Sequence, residues 1–493
     1  MKSQDINRRS VNIPMLLRIV GWLLMIEAAF MTVPLITSFL YEEGDFTQFL
    51  FTLLFTFAIG ESLTTLIHPR SKVMGKREGF LLTASVWVVF SLFGMIPFLI
   101  GSPYLTISDA FFESMAGFTT TGASIIDDID NLPHSINIWR CLMQWIGGMG
   151  IILFTLALLP SLNSSSGVHM FNAEVTGITH DKIRPRVSST AKQLWGIYFA
   201  LTVVLIFLLW LGPMNLFDSI CHGLSTMSTG GFSTRNDSIG AWDSDYIKII
   251  ITIFMFLGGV NFVLMFKALT GNVRAVWKNE IFRWYIYILL ISSVLFIALL
   301  CIRHYHLDLS HLLLDPIFLA VSTLTSTGYT VSNFEQWGPF AMMLVIILMF
   351  FGACAGSTSG GAKLDRILTA NKFLRNEIYR CIYPNIIKGI DVSGKVLPSD
   401  VVNKAISFLG LYISLIIVGA LLLTALGLPF FDALFSSFSC TGNTGLGSGI
   451  TGYGGSYDIV PDAGKWILSG LMLTGRLEIF TILIIFTPAF WKR

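Results

Sequence analysis

Long apolar runs recur along the whole chain, and they limit its possible folds more than any other feature. As a helix, a run of about 20 residues crosses a bilayer core about 30 Å thick. Only 13% of the 493 residues are charged, whereas soluble proteins carry about 25%. This composition excludes a conventional water-soluble enzyme. The runs predict ten spans at 15–41, 48–67, 79–100, 137–160, 192–211, 246–268, 284–302, 337–353, 403–428 and 465–490.

Basic residues are concentrated in every second link between these spans. Lysines and arginines follow the second, fourth, sixth and eighth spans, and eight of them lie in the link 363–404. The intervening links carry acidic residues instead, such as Glu42 and Asp127. Because cytoplasmic links are rich in Lys and Arg, both termini and all the basic links are predicted to be cytoplasmic. The even number of spans agrees with this topology.

Four short apolar stretches share one spacing. Each begins with an aspartate, is too short to span, and reaches a glycine 13 residues later. The pairs are Asp109 and Gly122, Asp218 and Gly231, Asp315 and Gly328, and Asp432 and Gly445. Four identical spacings between long spans indicate an internal repeat of about 110 residues. We assign the aspartates to the starts of short helices, where Asp is favoured.

The repeat predicts the fold class and the division of the chain. We expect an all-α polytopic membrane protein with four span–pore-loop–span repeats around a pseudo-fourfold pore, preceded by two extra transmembrane helices. The predicted units are a two-helix extension at 1–68 and repeats at 69–160, 161–268, 269–362 and 363–493.

The four glycine segments have the chemistry of a cation filter. Irregular backbone at membrane depth is tolerated where it is buried in protein or lines a water-filled cavity. Carbonyl groups aimed inward can replace the hydration shell of a cation, and glycine permits the required backbone conformation. The predicted filter residues are Thr121, Gly122, Gly230, Gly231, Thr327, Gly328, Thr444 and Gly445, with Ala123, Phe232, Tyr329 and Leu446 following them.

A second unusual segment follows the eighth span. It consists of Gly352, Ala353, Cys354, Ala355, Gly356, Ser357, Thr358, Ser359, Gly360 and Gly361. Each glycine costs a helix about 1 kcal/mol, so this segment is predicted to be an unwound loop within the membrane. We interpret it as a displaceable gate below the filter. The alternative is a plain cytoplasmic linker.

Arg476 lies in the middle of the last span, with Glu478 two residues later. A charge inside a span is costly and usually faces a cavity or a partner. The functional interpretation is a positive charge below the filter that sets the barrier for cations. The alternative is a structural arginine that pairs with a carboxylate or with backbone carbonyls.

These motifs together resemble a known family. The filter segments TTTGAS, STGGFS, STGYT and GNTGLG, with GACAGSTSGG and TGRLEIF, are similar to those of the TrkH subunit of bacterial potassium-uptake systems. The resemblance covers essentially the whole chain. It implies that the transported ion is potassium, that Gly352–Gly361 is the gate and that Arg476 is the pore arginine. Two segments depart from the pattern, because the fourth reads NTGLG and the second has Gly230 where the others have threonine.

The same resemblance implies partners and a location. It predicts a homodimer in the bacterial inner membrane and a cytosolic, nucleotide-binding regulatory subunit of the TrkA type. The chain has no Walker A motif and no strand-bounded GxGxxG, so nucleotide control is expected to come from that partner. No organic cofactor is expected in this chain, and the basic link 363–404 is the expected docking surface.

Three other functions fit these residues less well than a potassium pore. A proton- or sodium-coupled symporter would need ionisable groups at mid-membrane, and the repeats offer little beyond Arg476 and Glu478. An intramembrane enzyme would need a nucleophile and base, but only His222 lies in a short segment, where a core histidine is the simpler interpretation. A receptor without transport leaves the four segments unexplained. The chain is therefore predicted not to be an enzyme, and the symporter remains the alternative.

Overall fold

Where the structure describes the chain, the regular structure is helical apart from one short hairpin. The computed structural model describes residues 11–69, 75–101, 104–150, 187–303, 308–384 and 389–491, with side chains from residue 191 onward in the fourth range. The helices before the first glycine segment are α1 (Ile13–Phe30), α2 (Thr32–Leu40), α3 (Phe46–Leu66), α4 (Lys76–Gly94), α5 (Ile96–Ile100) and α6 (Ile107–Phe118). Helices α1 and α3 pack closely through Gly21 and Gly60, since a Cβ at Gly21 would lie 2.7 Å from the Gly60 carbonyl oxygen.

After the first two spans, the order of elements recurs four times. Each unit has a long helix, a short helix, an irregular loop and a second helix. Within the described ranges, the further α-helices are α7 (His134–Gly148), α8 (Val187–Trp210), α9 (Leu216–Met227), α10 (Asp245–Gly258), α11 (Phe262–Leu269), α12 (Val273–Lys278), α13 (Glu280–Ile302), α14 (Leu309–Leu324), α15 (Pro339–Phe351), α16 (Leu364–Ile382), α17 (Ser399–Ala425), α18 (Phe430–Thr441), α19 (Asp462–Arg476), α20 (Phe480–Leu483) and α21 (Pro488–Trp491). The short helices of the four units are α6, α9, α14 and α18.

The predicted spans are only partly continuous helices. Within the described ranges, six helical stretches are long and apolar enough to cross a membrane. The spans predicted at 246–268 and 465–490 bend by 104° and 107°, within the sequences LGGVNF and LTGRLEIF that predict an interruption of each span. At the first bend, Asn261 caps the start of α11, and its side chain accepts hydrogen bonds from the backbone amides of Val263 and Leu264. The span predicted at 337–353 is the 13-residue helix α15, and residues 151–160 of the fourth span lie outside the described residues.

The basic link 363–404 contains regular structure that the sequence analysis did not predict. Helix α16 is followed by the antiparallel strands β1 (Ile390–Val392) and β2 (Lys395–Leu397). Lys372 on α16 donates to the Glu280 carboxylate at 2.6 Å and to the Asp391 carbonyl at 2.5 Å. These bonds hold α16 and the hairpin against the start of α13.

The repeated aspartates do more than start helices. Asp109, like Asp218 and Asp432, is in a first helical turn as expected, but Asp315 lies further along α14 because that helix begins earlier. Asp109 pairs with Lys465 at 2.5 Å, and Asp315 pairs with Lys248 at 2.9 Å. Both pairs are buried, and they join short helices to the second helices α19 and α10.

Lys465→Met is expected to lower the free energy of unfolding by roughly 3–5 kcal/mol, because it removes the only cation that the buried Asp109 carboxylate contacts among the described residues. Thermal unfolding of the purified protein in detergent measures the effect as a fall in Tm. Adding Asp109→Asn to Lys465→Met removes the orphaned charge and is expected to recover most of the loss. A double variant no more stable than the single one would contradict this explanation.

Candidate ion-conducting site

The four glycine segments adopt the same backbone conformation. We call them the ring loops: Thr119–Gly122, Ser228–Gly231, Thr325–Gly328 and Gly442–Gly445. In each loop the residue two before the last glycine has a φ of 52–55° and the last glycine has a φ of 78–85°. In each, the backbone amide of the residue directly before that glycine donates at 2.9 Å to a carbonyl in the short helix. Left-handed backbone at four matched non-glycine positions is uncommon, so the loops share one built geometry.

The ring loops close into a cycle. A Cβ added at Gly122 would overlap the carbonyl oxygen of Gly230 in the second loop. The same overlap joins the second loop to the third, the third to the fourth, and the fourth back to the first: Gly231 with Thr327, Gly328 with Thr444, and Gly445 with Thr121. Glycine is therefore required by the neighbouring carbonyl as well as by φ. The carbonyls of residues 121, 230, 327 and 444 form a ring.

A cavity lies on each side of this ring. The first, the ring cavity, has a volume of about 120 Å³ and is lined by all four last glycines together with polar groups such as Ser124 and Arg140. The second, the loop cavity, has a volume of about 100 Å³ and is lined by Gly148, Ser359 and Arg476 among others. The ring thus separates two cavities that are both partly polar.

The backbone carbonyls of residues that follow the ring accept hydrogen bonds from buried hydroxyls. The Phe232 carbonyl accepts the Tyr329 hydroxyl at 3.2 Å, and the Tyr329 carbonyl accepts the Ser322 hydroxyl at 2.7 Å. The Leu446 carbonyl accepts the Tyr457 hydroxyl at 3.1 Å. These buried hydroxyls fix the backbone next to the ring, and Ala123 is also buried there.

The glycine-rich segment 352–361 packs directly against the ring loops. It contains no helix, since α15 ends at Phe351 and α16 begins at Leu364. The Thr358 hydroxyl is 3.1 Å from the Gly258 carbonyl, the Gly360 amide donates to Ser326 at 2.5 Å, and the Gly361 amide donates to Gly442 at 3.0 Å. The segment therefore contacts the third and fourth ring loops and the end of α10.

The two ends of this segment lie side by side. A Cβ built at Gly352 would be 3.0 Å from the Cα of Gly361. The residues between them form a loop whose two ends are adjacent, and we call this loop the excursion. Its removal would therefore not require α15 and α16 to move apart.

Arg476 connects this excursion to the first repeat. Its guanidinium donates to the Thr358 carbonyl at 2.8 Å and to the Gly147 and Gly148 carbonyls at 2.7 and 2.9 Å. The arginine lines the loop cavity and pairs with backbone carbonyls, as the structural interpretation predicts, and its effect on cations stays a prediction. Glu478 lines the same cavity and pairs with Arg366 at 2.5 Å.

A fully buried ion pair behind the first ring loop was missed by the sequence analysis. Arg140 pairs with Glu113 at 2.7 Å, and Glu113 accepts the Ile125 amide at 2.8 Å. The Arg140 guanidinium lies 4.2 Å from the centre of the Phe232 ring. The signal was available, because an arginine in an apolar span usually has a partner nearby.

His222 is a core residue, as expected. It is buried, and its two ring nitrogens lie 2.8 Å from the Asp218 carbonyl and 3.0 Å from the Ser233 hydroxyl. Both nitrogens are therefore used in local structure, and the geometry offers no catalytic pair at this position.

These features define a class of protein, a polytopic helical membrane protein with cavities on both sides of a ring of backbone carbonyls. The chain belongs to the TrkH family: the family model, described as a cation transport protein, matches residues 46–493. Membership in a family of ion transporters confirms the resemblance and the expectation that the chain is not an enzyme.

Relatives match over nearly their whole length. The Trk system potassium uptake protein TrkH of Escherichia coli (strain K12) is 37% identical over 478 residues, which cover 96% of this chain and 98% of that protein. The corresponding protein of Halomonas elongata is 33% identical and covers 98% of this chain and 100% of its own length. The crystal structure of the potassium transporter TrkH from Vibrio parahaemolyticus matches with a TM-score of 0.88 and 34% identity, covering 98% of this chain and 100% of that one. The all-α polytopic fold is thereby confirmed.

Proposed function

We propose that this chain is the ion-translocating membrane subunit of a bacterial potassium-uptake system. The observation that carries the proposal is the closed cycle of four ring loops, in which each last glycine abuts the next loop's carbonyl. Such a ring can replace the hydration shell of a potassium ion with backbone oxygens. The relatives named as potassium uptake proteins support potassium as the ion.

The proposed ion ligands are the carbonyls before the last glycines, in Thr121, Gly230, Thr327 and Thr444. The glycines Gly122, Gly231, Gly328 and Gly445 make room for them, and Ala123, Phe232, Tyr329 and Leu446 are proposed to extend the filter. The short helices α6, α9, α14 and α18 end at the ring, so the negative ends of their dipoles favour a cation there. Potassium is the transported ion in this proposal, and no organic cofactor takes part.

The proposed gate is Gly352–Gly361. It packs against the ring from the side of the loop cavity, where it obstructs an ion leaving the ring. Arg476 holds the gate through Thr358 and adds a positive charge to the ion path. Opening therefore requires the gate to leave these bonds, and such a displacement can be driven by a partner on α16, the helix that follows it.

The proposed assembly is a homodimer in the bacterial inner membrane with both termini in the cytoplasm. The distribution of basic links supports this orientation. A cytosolic nucleotide-binding subunit of the TrkA type is proposed to dock on the surface formed by 363–404. The names of the relatives, which describe a Trk system, support a further component.

The alternative function is a proton- or sodium-coupled potassium symporter. Its coupling residues would be Arg476 and Glu478, but both make specific contacts, one with backbone carbonyls and the other with Arg366. These contacts favour structural roles over repeated protonation, so the pore is the better-supported proposal.

The proposal is tested by ion flux through the purified full-length protein in liposomes. Potassium is expected to move down its own gradient, with little sodium flux and no dependence on an imposed proton gradient. Protein-free liposomes serve as the control. Potassium flux that occurs only with a proton or sodium gradient would contradict the pore and support the symporter.

A further inference from the structure

The second ring loop differs from the others at one position. Gly230 stands where the first, third and fourth loops have Thr121, Thr327 and Thr444. In the first and third loops, these threonine hydroxyls lie 2.8 Å from a second threonine hydroxyl of the same loop. The second loop lacks that side chain, yet its backbone conformation is the same.

The side chain of Gln144 occupies the missing space. A Cβ built at Gly230 would overlap the Gln144 amide group, so a threonine at 230 would require this amide to leave its position. Gln144 is fully buried and comes from α7, the second helix of the preceding repeat. It is therefore supplied to the ring across a repeat boundary.

Three hydrogen bonds fix the Gln144 amide. Its oxygen accepts the Ser225 hydroxyl at 2.7 Å and the Phe232 backbone amide at 3.2 Å. Because a backbone N–H can only donate, the oxygen must face Phe232, and the amide nitrogen then donates to the Gly230 carbonyl at 2.7 Å. That carbonyl is the one that the second loop contributes to the ring.

The other repeats have the complementary arrangement. Each second helix has a glycine near its end, and the residue three positions before that glycine can be compared between the repeats. The pairs are Gln144 and Gly147, Met255 and Gly258, Met349 and Gly352, and Met472 and Gly475. The glutamine thus occurs in the helix that packs on the loop without the threonine. Methionines occur in the helices of the other three repeats.

We propose that Gln144 is a selectivity-determining positioning residue, which replaces the missing threonine and holds the Gly230 carbonyl at its place in the ring. The inference rests on the proposed function of the ring as a potassium filter. Gln144 acts through the backbone and does not itself bind the ion. It fills the volume of the absent side chain and donates a hydrogen bond to one of the four ring carbonyl oxygens.

The test is the potassium-to-sodium permeability ratio of the purified full-length protein in planar bilayers. Gln144→Met removes the three hydrogen bonds at nearly constant volume and is expected to lower the ratio about tenfold. Gly230→Thr alone is expected to lower it as well, because the new side chain meets the Gln144 amide. The double variant Gln144→Met with Gly230→Thr recreates the pairing of the other repeats and is expected to return the ratio to within about threefold of the original.

Controls separate this inference from the function on which it rests. Met343→Leu, on the exposed face of α15, is expected to leave the ratio unchanged. Gln144→Glu keeps the two accepted bonds but loses the donor to Gly230, so it tests the carbonyl contact if the methionine variant does not fold. It is also expected to lower the ratio.

The outcomes are distinguishable. An unchanged ratio in Gln144→Met and in Gln144→Glu, together with a lowered ratio in Gly328→Ser, would overturn the role of Gln144 and leave the filter intact. A double variant no better than either single variant would overturn the replacement of threonine. An unchanged ratio in the Gln144 variants and in Gly328→Ser would overturn the proposed filter itself.

Discussion

Gly328→Ser is expected to lower the potassium-to-sodium permeability ratio at least about tenfold, which corresponds to about 1.4 kcal/mol of lost discrimination. Gly328 has a φ of 79°, and a Cβ there would overlap the Thr444 carbonyl oxygen. The serine must displace a ring carbonyl or move its own backbone, and either change alters the spacing of the proposed ion ligands. Reversal potentials in planar bilayers with potassium on one side and sodium on the other measure the ratio.

A matched control separates the ring from the strain of a left-handed residue. Gly394, in the turn between β1 and β2, has the same φ of 79° but nothing within 4 Å of a built Cβ. Gly394→Ser is therefore expected to keep the original ratio. If Gly328→Ser folds and its ratio equals that of Gly394→Ser, the ring does not select between the two ions.

Deletion of residues 355–358 is expected to raise potassium flux at least about tenfold in the absence of a regulatory partner. The deletion removes the bond from Arg476 to Thr358, worth about 1.5–3 kcal/mol because the donor is charged, and the bond from Thr358 to the end of α10, worth about 1 kcal/mol. Because Gly352 and Gly361 are adjacent, the shortened loop can still close. Potassium efflux from liposomes that contain only this chain measures the change.

Two further variants sharpen this experiment. Arg476→Gln weakens the hold on Thr358 without shortening the chain, and it is expected to raise flux in the same direction. Arg380→Ala alters an exposed ion pair with Glu377 on α16, and it is expected to have no effect because such pairs contribute little. Flux that stays at the original level in a folded deletion variant would argue against a gate at this loop.

The ring residues could be found from sequence because their constraint is local and repeated. A glycine that must adopt positive φ cannot be replaced cheaply, so it recurs at the same distance from Asp109 and its three counterparts. The glycine-rich 352–361 was likewise recognisable, because its composition disfavours a helix. The limits of most apolar helices followed from hydropathy in the same way.

Contacts between repeats were not predictable in the same way. Gln144 and Gly230 are far apart in sequence, and neither residue marks the other in a single chain. The pair Lys465 and Asp109 spans most of the chain. The angles of the two sharp bends were not predicted, because a cap such as Asn261 begins a helix without indicating its direction relative to the preceding one.

The ring closes within one polypeptide, and this has a consequence for its assembly and its variation. Its formation is unimolecular, so its integrity does not depend on protein concentration, unlike that of a ring built from four separate subunits. A point substitution alters one quarter of the circle, whereas in a homotetramer it would alter all four quarters. Each quarter can therefore diverge alone, and the exchange of Thr for Gly230 with Gln144 beside it is one such divergence.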